Sequence, residues 1–177
     1  MEFGQTAVEG CFVASLEPIS DDRGFFARQW CADELDAIGA AASVAQVNTS
    51  YCVDAGLIRG LHWQEPPAGE AKFMRCINGA IFDVCADVRR DSPTYGKWFG
   101  LELTPQNRLA LVIPEGCAHA YQSLTAGSEV MYLTDTPYTP GAERGLPYDD
   151  PFFEIDWPIK KGVVLSEKDR NWPPFSA

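Results

Sequence analysis

The chain has 177 residues, 46% hydrophobic and 12% aromatic, with a formal net charge of -11. That length supports a core of useful size, and that apolar content excludes a disordered chain. The acidic balance argues against a nucleic-acid or anionic-membrane binder, since both need a basic surface, and leaves an anionic ligand only a local basic cluster.

The opening segment MEFGQTAVEG has no basic stretch followed by an apolar one, so no export signal is read there. No apolar run approaches the ~20 residues of a membrane span. Next along the chain, CFVASLEPI (11–19) alternates apolar and polar residues as a strand does. CADELDAIGA (31–40) carries apolar residues at helical spacing, with Gly39 near its end, and is the one predicted helix.

Strand-like alternation then recurs in AQVNTSYCV (45–53), LIRGLHWQ (57–64), AIFDVCADVR (80–89), WFGLELT (98–104), RLALVIP (108–114), AYQSLT (120–125) and SEVMYLTDT (128–136). Turn-forming clusters such as DAG, NGA, TPQN and PEG separate these runs. Many short strands at this spacing predict an all-β sandwich or barrel of antiparallel strands. One domain over residues 1–177 is expected, its tail from about 145 (GLPYDDPFFEIDWP) wrapping the sheets as irregular structure. The six cysteines, at 11, 31, 52, 76, 85 and 117, form no CxxC pair. They read as reduced, mostly buried thiols of a cytoplasmic protein.

Only two histidines occur, His62 and His119. PEGCAHAY fits the P-x-G-x-x-H motif of the cupins from Pro114 to His119. Metal-binding cupins generally present two histidines one residue apart in their first motif, whereas this chain reads His62, Trp63, Gln64. Two imidazoles plus a carboxylate still leave a facial-triad metal site open, as in an oxygenase. The bland alternative for each ring is a hydrogen-bonded core residue. Strand parity sets Ile58, Gly60, His62 and Gln64 on one face and Leu57, Arg59, Leu61 and Trp63 on the other. Arg59 can share a cavity with His62 only if Gly60 forms a bulge.

Taken together and in order, the segments DDRGFFARQW, QVN, RGLHWQ, EAKFMRCINGAIFDVCADVRRDSPTYGKWFGLEL, IPEGCAHAYQSL, EVMYLTDTPYTP, DDPFFEIDWP and LSEKD resemble the dTDP-4-dehydrorhamnose 3,5-epimerase family. The resemblance runs from about residue 10 to about 170. It implies a cupin jelly-roll barrel with one or two short helices, a homodimer, and no metal or organic cofactor. The implied activity is inversion of C3 and C5, next to the 4-keto group of a dTDP-linked 6-deoxyhexose. A C3-only or C5-only epimerase is the nearest alternative, and a metal-free cupin that binds sugars without turnover is another.

Roles follow from the same resemblance. His62 matches the general base and Asp169 the carboxylate that orients it. Tyr132 matches the acid on the opposite sugar face, and Lys72 fits the cation that stabilises the C4 oxyanion. Arg23, Phe26, Gln46, Asn48, Arg59, His119, Tyr138, Glu143 and Lys168 match substrate contacts, with Tyr138 at the thymine-stacking position. Asp83 is the expected partner of His119, and some contacts are expected to cross the dimer interface. Many members carry an acidic residue after the paired aromatics of RGFF, where this chain has Ala27 and Arg28. That swap reverses the local charge, so the hydrogen bonding there must change.

Overall fold

The computed structural model describes residues 1–176. The chain runs through β1 (Glu2–Gln5), β2 (Phe12–Ser15), β3 (Ile19–Asp21) and β4 (Gly24–Phe26), then α1 (Ala32–Asp36) and β5 (Gln46–Cys52). It continues through β6 (Ile58–Gln64), β7 (Lys72–Asn78), β8 (Ile81–Asp87), β9 (Trp98–Leu103), β10 (Leu109–Ile113), β11 (Cys117–Ser123), β12 (Ser128–Thr134), β13 (Glu143–Gly145) and α2 (Glu167–Arg170). One sheet has the order β1-β2-β10-β7-β12-β5 and the other β13-β6-β11-β8-β9, while β3 and β4 pair only with each other. The ladders within both sheets are antiparallel. This is the expected cupin-type jelly roll.

Alternation decides what each strand buries. Inward residues such as Met74, Cys85, Leu111, Ile113 and Val130 fill the space between the sheets. The outer face of the five-stranded sheet presents Ile58, Leu61, Val84, Ala86, Ala118 and Ala120 to Leu146, Phe153 and Trp157 of the tail. The outer face of the six-stranded sheet is partly covered by Leu35 of α1 and by Trp30. The helix is shorter than its predicted span, because Ala37 caps it and the chain turns at Gly39 with φ of +71°. All six cysteines are free and five are buried. Among the described residues, no helix is long and apolar enough to cross a membrane.

One irregularity shapes the site. His119 faces His62 across β11 and β6, yet Tyr121 faces Arg59, so β6 carries one extra residue over this stretch. Gly60 absorbs it with φ of +116°. A Cβ there would lie 2.4 Å from the His119 carbonyl oxygen and 2.5 Å from the Ala120 Cβ. Both the clash and the dihedral make Gly60→Ala costly. A loss of about 3 kcal/mol or more is expected, or about 6–12 °C in Tm by thermal unfolding. An unchanged Tm would show that the bulge can relax without glycine.

Candidate active site

The sheets enclose an open-mouthed cavity of about 610 Å³. Arg59 and His62 of β6, His119 of β11 and Glu143 of β13 reach it from the five-stranded sheet. Gln46 and Asn48 of β5, Lys72 of β7 and Tyr132 of β12 reach it from the facing sheet. Tyr138, between β12 and β13, and Lys168 and Asp169 of α2 also line it. Because of the bulge at Gly60, Arg59 and His62 face the same cavity despite their opposite parity in a regular strand.

His62 donates from Nε2 to Asp169 Oδ1 at 2.5 Å. Burial by itself would raise the Asp169 carboxyl. The hydrogen bond from His62, the charge that ring carries when protonated, and the help of Ser166 outweigh burial and hold it below the ordinary carboxylate range. An ionised Asp169 can only accept, so the neutral imidazole carries its proton on Nε2 and its lone pair on Nδ1. Glu143 Oε1 lies 3.8 Å from that Nδ1. The Trp172 ring packs edge-on against His62 with centroids 5.9 Å apart. Gly145 pairs with His62 across the strands and makes room for that indole, since a Cβ on Gly145 would lie 2.3 Å from the Trp172 ring.

On the facing sheet, Lys72 Nζ meets Glu70 Oε1 at 2.8 Å, with both side chains largely buried. Burial pushes the Tyr132 phenol up, the negative charge of Glu70 pushes it further, and Arg59 opposes both. The result is a phenol that holds its proton. An imidazole thus lies on one wall, with a phenol and a lysine side chain on the other. On the same wall as His62, His119 Nε2 pairs with Asp83 Oδ1 at 2.8 Å, the partner that the family resemblance implied. Burial raises the Asp83 carboxyl against the pull of His119 and, more weakly, of Lys72. At the rim, Glu143 Oε2 pairs with Lys168 and accepts from the Tyr138 hydroxyl at 3.3 Å.

A family model for dTDP-4-dehydrorhamnose 3,5-epimerase matches residues 5–177. The chain belongs to the dTDP-4-dehydrorhamnose 3,5-epimerase family. It is 39% identical over 176 residues to the dTDP-4-dehydrorhamnose 3,5-epimerase of Methanothermobacter thermautotrophicus, covering 98% of this chain and 94% of that one. It superposes with a TM-score of 0.93 on the Bacillus anthracis dTDP-4-dehydrorhamnose 3,5-epimerase crystallised with TDP and pyrophosphate, at 35% identity and covering 98% and 99% of the two chains. A dTDP-4-dehydrorhamnose 3-epimerase of Streptomyces niveus is 36% identical over 172 residues, 97% of this chain and 82% of that one. Single and double epimerases therefore both occur among relatives of similar identity.

Two residues singled out from the epimerase resemblance stay outside the cavity of this chain. Arg23 has an 89% exposed side chain and pairs with Asp21. Phe26 is 67% exposed. Both belong to the β3–β4 hairpin, which makes ladder bonds only within itself and touches the barrel through Arg108 over the Phe25 ring at 4.4 Å. Arg28 donates to Glu34 Oε1 at 2.8 Å, so its reversed charge is matched within the chain. Sequence reading passed over Glu70 and Trp172, and α2 as a helix. Glu70 stands two residues before Lys72, so extended-chain parity could have flagged it. Trp172 gives no such signal, because the loop that carries it has no period. The single-turn α2 shows itself only through Ser166, whose side chain accepts from the Asp169 N–H.

Proposed function

We propose that this epimerase-family chain inverts C3 and C5 of a dTDP-linked 4-keto-6-deoxyhexose through an enolate. The observation that carries the reading is the His62–Asp169 pair facing a cavity whose other wall bears Tyr132 and Lys72. His62 Nδ1 takes the proton from the carbon next to the ketone, and Asp169 stabilises the imidazolium that forms. The C–H electron pair moves into the ring and negative charge develops on the C4 oxygen, where the Lys72 ammonium meets it in a partly desolvated site. Tyr132 gives its proton to the same carbon from the opposite face. Each inversion leaves one extra proton on His62 and one missing from Tyr132, so the pair must exchange with water before the second carbon reacts.

The nucleotide is held by the remaining polar lining: Arg59, Lys168 and His119 supply positive or donating groups for the diphosphate, and Gln46, Asn48 and Glu143 supply further hydrogen bonds. Tyr138 offers its ring to thymine. A cytoplasmic location suits the six free thiols. The decisive experiment is NMR of dTDP-4-keto-6-deoxyglucose incubated with the enzyme in heavy water. Deuterium should enter at both C3 and C5 with inversion. Exchange at C3 alone would make this a 3-epimerase, and tight dTDP binding with no exchange would make it a binding module.

The working form is read as a homodimer in which Arg23 and Phe26 complete the partner's site, consistent with their exposure on a protruding apolar hairpin that includes Ile19 and Phe25. Mixing a His62→Ala chain with an Arg23→Ala chain tests this. Heterodimers regain one intact site, so about a quarter of wild-type activity should return after random exchange. Activity no greater than the sum of the two variants would place Arg23 outside the partner's site.

A further inference from the structure

Gln64 lies two residues beyond His62 on the cavity side of β6, where a metal-binding cupin presents its second imidazole. It is only 1% exposed. Its Nε2 donates to the Ala68 carbonyl at 3.0 Å and to the Pro137 carbonyl at 3.3 Å, and its Oε1 accepts from the Thr139 N–H at 2.6 Å. Both donor hydrogens are therefore engaged by backbone, with none left for a ligand. Two of the three partners flank Tyr138.

That segment needs outside fastening. Pro137 and Pro140 have no N–H to offer, and the segment lies between β12 and β13, outside any ladder. Tyr138 itself is 54% exposed, so packing does not fix its ring. Its backbone N–H is instead accepted by Gln46 Oε1 at 2.6 Å, and the next N–H goes to Gln64. We infer that Gln64 is a positioning residue: a first-motif cupin position engaged not with a metal but with clamping residues 137–139, so that Tyr138 stands at the cavity mouth for the nucleotide base. This rests on the reading that Tyr138 stacks on that base.

A buried amide with three satisfied bonds is an effective clamp. Losing it leaves the Thr139 N–H and the Ala68 carbonyl unmatched and the Pro137 carbonyl with only the Thr139 hydroxyl, and lets the segment sample positions that bind the base less well. The reacting carbons bind deeper, between His62 and Tyr132, so the effect should fall on nucleotide affinity and not on the chemical step.

The test is a double-mutant cycle on Gln64→Met and Tyr138→Ala, read by calorimetric titration with TDP and by steady-state kinetics. Tyr138→Ala should weaken TDP binding on the order of 10-fold. Gln64→Met should weaken it by a similar factor and raise KM, leaving kcat within about 3-fold. The double variant should bind TDP no more weakly than Tyr138→Ala alone, because both remove the same contact.

Additive losses, or TDP affinity unchanged by Gln64→Met while Tyr138→Ala reduces it, would overturn the positioning role alone. No loss from Tyr138→Ala would remove the base-stacking reading and the inference with it. Should Gln64→Met not fold, Gln64→Glu keeps the acceptor for Thr139 and removes both donors. It should give an intermediate loss of TDP affinity that disappears in the Tyr138→Ala background, and wild-type affinity would count against the clamp.

Discussion

His62→Ala should lower turnover by at least about 10³-fold and stop deuterium entry at both carbons, with TDP affinity nearly unchanged. A positioned base contributes about 10² to 10⁴ in rate. The upper part of that range is expected because no other group is placed to take over. Glu143, the nearest carboxylate to Nδ1, is already engaged by Lys168 and Tyr138. His119 shares the cavity but its Nε2 is tied to Asp83. Asp169 lies behind the imidazole on Nε2, the side away from the lone pair. Asp169→Asn should be milder than His62→Ala, since the ring remains but its imidazolium loses a charged partner. Turnover by His62→Ala at the wild-type rate would rule out this base.

Tyr132→Phe should separate proton removal from inversion. His62, Asp169 and Lys72 remain, so the enolate still forms and His62 can return a solvent-derived deuteron to the face it came from. Deuterium should therefore enter the substrate with its configuration retained, while inverted product falls by about 10² to 10⁴. The pH profile offers a second check. Burial, then the charge of Glu70, raise the phenol against the opposing Arg59, so its proton persists beyond the ordinary value of ~10. Inversion by wild-type enzyme should therefore survive through mildly alkaline pH and fall only as pH rises through the raised phenol value. Tyr132→Phe should lack that alkaline fall. Full inversion by Tyr132→Phe would assign the acid elsewhere.

The two variants probe opposite walls of one cavity, and that opposition is a property of the sheets. His62 belongs to the five-stranded sheet and Tyr132 to the six-stranded one, so groups 70 residues apart meet a sugar ring from its two faces. A planar enolate reprotonated across such a gap emerges inverted. The same two groups on one wall would only exchange protons with retention.

Apolar-polar alternation was enough to read β2, β5, β6, β8, β9, β10 and β12, because successive side chains point to opposite faces of a sheet and period two records it, although β8 and β10 bury both faces. It was not enough for the β3–β4 hairpin, whose residues are exposed on both faces, or for α2, which is one turn long. The proposed catalytic constellation was legible only through resemblance to a family. Asp169 stands 107 positions from His62 on an aperiodic tail, so no local pattern ties the two together. Parity read along LIRGLHWQ left the side of Arg59 to whether Gly60 bulges, and only the register shift in the structure decided it, since one inserted residue reverses the facing of every residue before it.

By itself, the sequence determined the all-β architecture, the acidic exterior, the cupin motif at His119 and the family. Those features are local or compositional, and burial writes them into the order of residues. The tertiary structure decided which imidazole nitrogen is free, which lysine meets which carboxylate, and that Gln64 holds a loop instead of facing a ligand. Such facts depend on distances of a few ångströms between segments far apart in the chain, and only closure of the two sheets sets them.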